Sequence, residues 1–313
     1  MKDAEPLIEE EFSDELFEIA GRRTEESEKI QRPPLSAVKD SWMRLKKNKG
    51  AVISLIALSI ILLLAIFGPY MTKYEYYETD YLIAYQPPSG EHWLGTDKFG
   101  RDQWTRIWEG TRVSLYIAVL AAFLDLLIGV TYGAVSALKG GKVDNVMQRF
   151  IEILIGIPNL IIIILLIMLM KPGILTITIA MVITGWVNMA RLVRAQIFKL
   201  KAQEFVLAAR SLGSTNKRLI FHHLIPNTVG LIVINMMFTI PSAIFTEAFL
   251  SFIGLGLQEP LASLGVLIND GFKGMRNHFY LLLYPAIVIV GIMVSFNILA
   301  DGLRDALDPK MRK

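Results

Sequence analysis

Runs of apolar residues constrain this chain more than any other feature. They lie at about 51–67, 113–138, 150–170, 174–193, 228–252 and 281–300, separated by polar or charged segments. As a helix rising ~1.5 Å per residue, each is long enough to cross the ~30 Å hydrocarbon core of a bilayer or nearly so. Inside hydrocarbon every backbone N–H and C=O must be satisfied within the protein, so spans of this length fold as helices. The expected fold is therefore an all-α membrane protein with six transmembrane helices. Composition agrees: 53% of the 313 residues are hydrophobic and 19% charged, against roughly a quarter charged in soluble domains. Cysteine is absent, which excludes disulfides and thiolate metal sites.

The polar segments divide the chain into an acidic tail at 1–40, a first span with its following loop at 41–112, a core at 113–303 and a charged tail at 304–313. In the first tail Ile8, Phe12, Leu16 and Ile19 recur at helical spacing among Glu9, Glu10, Glu11 and Asp14. That pattern fits a short amphipathic helix docked on a partner, or a loosely ordered solvated tail. No cleavable signal peptide is expected, so the first span would act as its own insertion signal. Lys and Arg concentrate beside 44–49, 139–149, 191–218 and 304–313 and are sparse in the alternate loops. The positive-inside rule then places both termini in the cytoplasm, with loops 71–112 and 253–280 outside.

The segment 199–227 is the most informative interruption. Residues 201–212 are good helix formers, and Gly213 stands where a left-handed C-terminal cap is needed. Glu204, Ala208 and Leu212 form one row at four-residue spacing and Phe205, Ala209 and Gly213 the next, with Arg210 on the flank. Small residues in the middle of that surface would let another protein wall approach closely. A second short helix, about 215–223, is expected to stop before Pro226. The residues alone leave open whether this is an ordinary amphipathic linker or a docking element.

Ala208-Ala209, Gly213 and Pro226 resemble the EAA loop of ATP-binding-cassette importer permeases. Leu207, His223 and Ile225 stand where the general consensus has Glu, Ile and Leu, as in the peptide-importing branch. His92-Trp-Leu-Gly-Thr-Asp97, Thr246-Glu-Ala-Phe-Leu-Ser-Phe-Ile-Gly-Leu-Gly256 and Asp301-Gly-Leu-Arg-Asp-Ala-Leu-Asp-Pro309 resemble that branch too, in the right order. The resemblance covers nearly the whole chain from about Ser41 and points to the C-type permease of oligopeptide importers. It implies a type I importer fold and a cytoplasmic coupling helix seated in an ATPase. It further implies a heterodimer with a second permease, two cytoplasmic ATPases and an extracytoplasmic peptide-binding protein, in a bacterial cell membrane. ATP and Mg would belong to the partner subunits. The chain itself has no G-x-x-x-x-G-K-[ST] phosphate loop, and neither a catalytic role, a bound cofactor nor a nucleic-acid partner is expected. A nickel-chelate importer of the same architecture and a stand-alone secondary carrier are the alternatives.

Several polar residues inside the spans are candidates for the transport path or for helix contacts. Asp125 is a carboxylate near the middle of the second span, where a charge is costly unless it faces other helices or water. Asn188, Asn235 and Asn297 suit hydrogen bonding between helices. Glu247 and Arg112 lie at similar depth and are placed to pair, and Glu152 is expected at the interface. Gly95, Asp97, Gly100 and Asp102 suggest tight turns in the first outer loop, a docking face for a binding protein. None of the four histidines lies inside a span, which disfavours a path for a bare metal ion.

Overall fold

The computed structural model describes residues 37–307; the helix expected within the acidic tail and the last residues of the charged tail lie outside that range. A short helix α1 (Ala37–Lys47) leads into α2 (Lys49–Phe67) through Asn48, whose side chain accepts from the Ala51 N–H at 3.1 Å and caps α2. After the 68–102 loop come α3 (Gln103–Lys139), α4 (Gly141–Gly156), α5 (Asn159–Met170) and α6 (Ile174–Lys201). A short helix α7 (Glu204–Ser211) follows, then α8 (Asn216–Arg218), a π-helical stretch (Leu219–Leu224) and α9 (Ile225–Phe252). Helices α10 (Leu264–Gly274) and α11 (Tyr280–Leu307) complete the order. Among the described residues, five helices are long and apolar enough to cross a membrane, and α4 with α5 makes a sixth if that bent pair counts as one span.

The third expected span is broken. Helices α4 and α5 meet at 78° across Ile157 and Pro158, because proline has no N–H to donate and biases the residue before it away from helix. The second span starts earlier than its hydropathy indicates. Asp102 accepts from the Thr105 N–H at 2.9 Å and starts α3 at Gln103. The polar first turns of α3 are buried by pairing with the preceding loop, so they belong to the helix without being apolar. Pro226 does not end a helix either. It sits in the first turn of α9, and the π-helical stretch runs straight into α9.

Helix α3 is the hub of the bundle, and its tightest neighbour is α6. Gly129 and Gly133, four apart on one face of α3, bring the two backbones together. A Cβ on Gly133 would collide with the Ala190 carbonyl oxygen and lie 3.0 Å from the Arg194 nitrogen. Toward the α10 end, Ile117, Ala118, Ala122, Ile177, Ile244 and Ile292 join α3, α6, α9 and α11 in one core. At the other end Val130, Ala134, Val193, Ile197, Val206 and Ile232 form a second.

Candidate functional site

A cleft of about 570 Å³, lined by both polar and apolar residues, opens between α3, α6, α9 and the α4–α5 bend. Asp125 of α3 lines it, together with Thr184, Asn188 and Arg191 of α6, Asn159 of α5, and Asn235, Thr239, Ser242 and Thr246 of α9. Three of the residues singled out in sequence, Asp125, Asn188 and Asn235, therefore share one surface. Asp125 is 6% exposed, and its Oδ1 has no hydrogen-bond partner among the described residues. Its carboxylate lies against Gly185 of α6, where any side chain would collide with it. Asn188 and Arg191 are exposed. A second hollow of about 390 Å³ between α2 and α3 is lined by apolar residues apart from Arg112 at its rim and Tyr116, so it offers few groups for recognising a polar solute.

Other sequence candidates lie elsewhere. Glu247 is fully buried, but Arg112 is not its partner. Ser114 donates to its Oε2 at 2.9 Å and Ser251 to its Oε1 at 2.8 Å. Ser114 also accepts from the Leu264 N–H at 3.1 Å, so the carboxylate ties α3, α9 and α10 together. Arg112 pairs with Glu109, one turn back on its own helix, and reaches Tyr70 at 3.4 Å. Two hydroxyls, one from α3 and one from the next turn of α9, can satisfy a carboxylate as an arginine would, and hydropathy does not distinguish the two. Asn297 is exposed on α11, outside the cleft lining. Glu152 is exposed and pairs with Arg149 at 2.6 Å.

At the far end of α6, α7 stands as an eight-residue helix. Gly213 has φ +81°, the Gly213 N–H donates to Arg210 O at 2.9 Å, and the Ser214 N–H to Ala209 O at 3.0 Å. These two bonds form the glycine-terminated cap expected from the sequence. The structure splits the two rows of that helix. Val206 and Ala209 turn inward to the core of Val130, Ala134, Val193 and Ile232. Glu204, Phe205, Leu207, Ala208, Arg210 and Leu212 turn outward, with Leu212 87% exposed. Ala209 is thus part of the anchor rather than of the free face, and Leu207 joins that face. Pro226 is exposed at the start of α9.

The anchor of α7 reaches the cleft through shared helices. Lys201, at the end of α6, donates to Ala137 O at 2.8 Å, holding the last turn of α3. Arg194 of α6 grips Asp144 of α4 through Nε at 2.6 Å and Nη2 at 2.5 Å, and Ser136 of α3 donates to the same carboxylate. Helix α7 shares one apolar core with α3, α6 and α9, and these three helices also line the cleft, together with the α4–α5 bend.

At the opposite end of α3, the 68–102 loop folds onto α10. Asp97 accepts from Arg101 Nε at 2.7 Å and from the Phe99 and Arg101 N–H groups at 2.8 and 3.0 Å. His92 pairs with Asp102 at 2.9 Å. Gly95 and Gly100 adopt φ of +80° and +75°, in line with the expected turns. Lys98 bridges Asp270 and Glu259, each at 2.9 Å. Burial works against the Lys98 charge, but the hydrogen bonds it donates to the two carboxylates outweigh it and hold the ammonium above its ordinary pKa. Burial likewise works against the Glu259 charge, and Lys98 with Arg101 reverses the balance, holding that carboxyl below its ordinary value.

Residues 129–313 match the family described as binding-protein-dependent transport system inner membrane component. Residues 36–88 match the N-terminal TM domain of oligopeptide transport permease C. The chain is 48% identical to the oligopeptide transport system permease protein OppC of Bacillus subtilis (strain 168), over 95% of this chain and 98% of that one. It is 45% identical to the dipeptide transport system permease protein DppC of the same organism, over 99% of this chain and 97% of that one. Among solved structures, an inward-facing MetNI methionine ABC transporter has a chain similar in fold. Its TM-score is 0.52 at 15% identity, over 63% of this chain and 96% of that one.

Proposed function

The chain belongs to the family of binding-protein-dependent transport system inner membrane components, and from that premise we propose that it is one permease of an ATP-driven importer of oligopeptides. It forms the translocation path with a second permease. Two cytoplasmic ATPases drive it, and an extracytoplasmic binding protein delivers the peptide. The α7 end faces the cytoplasm, the 68–102 loop and α10 face outward, and ATP is hydrolysed on the partner subunits.

The observation that carries this reading is the link between α7 and the cleft through α3, α6 and α9. A single chain supplies only an open half of a path, and hydrogen-bonding side chains of α3, α6 and α9 are spread along the cleft. The outward face of α7, with Phe205, Leu207 and Leu212 exposed, offers the apolar surface a groove in an ATPase would cover. When ATP draws the two ATPases together, the helices seated on them move. Because Val206 and Ala209 of α7 are buried in the core shared with α3, α6 and α9, and protein cores resist compression, displacing α7 moves α6 and that core with it. The ATP-bound motor need only favour one state of the cleft over the other to drive the cycle.

Uptake of a labelled tripeptide into cells lacking this chain, with and without its restoration, tests the substrate class. Restored ATP-dependent uptake supports the proposal. Flux through the purified chain alone would place it among secondary carriers instead.

A further inference from the structure

The cleft holds two opposite charges with no salt-bridge partner among the described residues. Asp125 is nine-tenths buried, and its Oδ1 has no hydrogen-bond partner among the described residues. Arg191 lines the same cleft and makes no ion pair among the described residues. Asp125 lies against Gly185, and Arg191 follows that glycine by six positions on α6. At ~1.5 Å per residue, Arg191 stands about 9 Å beyond Gly185 along the backbone of α6, on the side nearer α7. Between and across from them stand neutral hydrogen-bonding side chains, Asn188, Asn235, Thr239 and Ser242.

A buried carboxylate without a partner is unfavourable unless a cation meets it during function. Gly185 leaves the space in which the carboxylate sits. The cleft therefore matches a solute with a positive end, a polar middle and a negative end. An extended chain spans at most ~3.3–3.6 Å per residue, so the ~9 Å rise from Gly185 to Arg191 is the length of two to three residues of peptide.

We infer that Asp125 receives the terminal ammonium of a short peptide and Arg191 its terminal carboxylate, which makes this half-path a site for a zwitterion oriented carboxylate-first toward α7. The inference rests on the proposed peptide import. It gives the path a recognition step of its own, separate from that of the external binding protein.

The test uses the complete importer in proteoliposomes, with labelled trialanine supplied outside and unlabelled trialanine inside. Internal peptide reaches the cleft from the ATPase side and never meets the external protein. In the wild type, internal trialanine is expected to inhibit uptake, with N-acetyl-trialanine and trialanine amide each at least tenfold weaker. Asp125→Asn is expected to weaken inhibition by trialanine at least tenfold and to remove the discrimination against the acetylated form. Arg191→Gln, at an exposed position, is expected to do the same for the amide. Equal inhibition by all three peptides in the wild type overturns the inference without any variant. So does trialanine inhibition of Arg191→Gln within twofold of the wild type. If the wild type takes up no labelled trialanine at all, the peptide reading fails instead.

Discussion

Val206→Ala tests how α7 is held. The helix has eight residues, too few to be stable alone in water, and only Val206 and Ala209 are buried. Val206 is fully buried against the core shared with α3, α6 and α9. Removing its two methyl groups forfeits about 1.6 kcal/mol of transfer free energy. The cavity left behind brings the cost to about 2 kcal/mol. That lowers the ratio of docked to detached α7 about 30-fold. Hydrogen–deuterium exchange on the assembled complex reads this directly: protection of amides 204–213 is expected to fall by about that factor, with α11 unchanged. Leu207→Ala, one residue on and half exposed, is expected to leave protection of the purified chain unaltered while weakening co-purification of the ATPases. If Val206→Ala changes protection by less than threefold, the anchor is not this contact and the transmission argument loses its first step.

Gly133→Ala forces α3 and α6 apart at the Ala190 carbonyl. It is expected to cost about 1–3 kcal/mol, seen as a melting temperature several degrees lower in detergent, whereas Gly230→Ala, with ordinary contact distances to Leu307, leaves it in place. A double-mutant cycle on Asp144→Asn and Arg194→Gln should give a coupling of about 1–3 kcal/mol, since Asp144 is 8% and Arg194 30% exposed. A coupling near zero would remove that pair from the α4–α6 tie. The Lys98 bridges give a pH window. Glu259, held below its ordinary value, contributes stability above about pH 4.3 that is lost as pH falls through its lowered folded value. Lys98, held above its ordinary value, contributes below about pH 10.4 and loses that as pH rises through its raised folded value. Limited proteolysis of the 68–102 loop should therefore be slowest between about pH 5 and 9, and Lys98→Gln should flatten that profile.

The spans were legible because burial in hydrocarbon demands long apolar runs, and the α7 cap was legible because Gly213 supplies a conformation other residues resist. Polar residues that bury one another were not. The first turns of α3, with Arg106 fully buried, read as loop because hydropathy cannot see the Asp97 carboxylate beside them. Helix α10 was hidden inside a loop for a related reason: its start rests on Ser263, which caps it through the Val266 N–H. Ser251 is one turn from Glu247 on the same helix, but Ser114 comes from α3, so the bond that ties the two helices is tertiary information. The cleft was half legible. Asp125, Asn188 and Asn235 stood out one at a time as polar groups in apolar runs, but that they share a surface while Asn297 does not follows from the α3–α6 packing set by Gly129 and Gly133.

The most direct measurement of the central claim is peptide flux in proteoliposomes holding this chain alone, or the chain with its second permease and both ATPases, each with the external binding protein. The account predicts labelled trialanine uptake only from the full assembly and only with ATP inside. Uptake by the chain alone, or undiminished uptake without ATP, would contradict it.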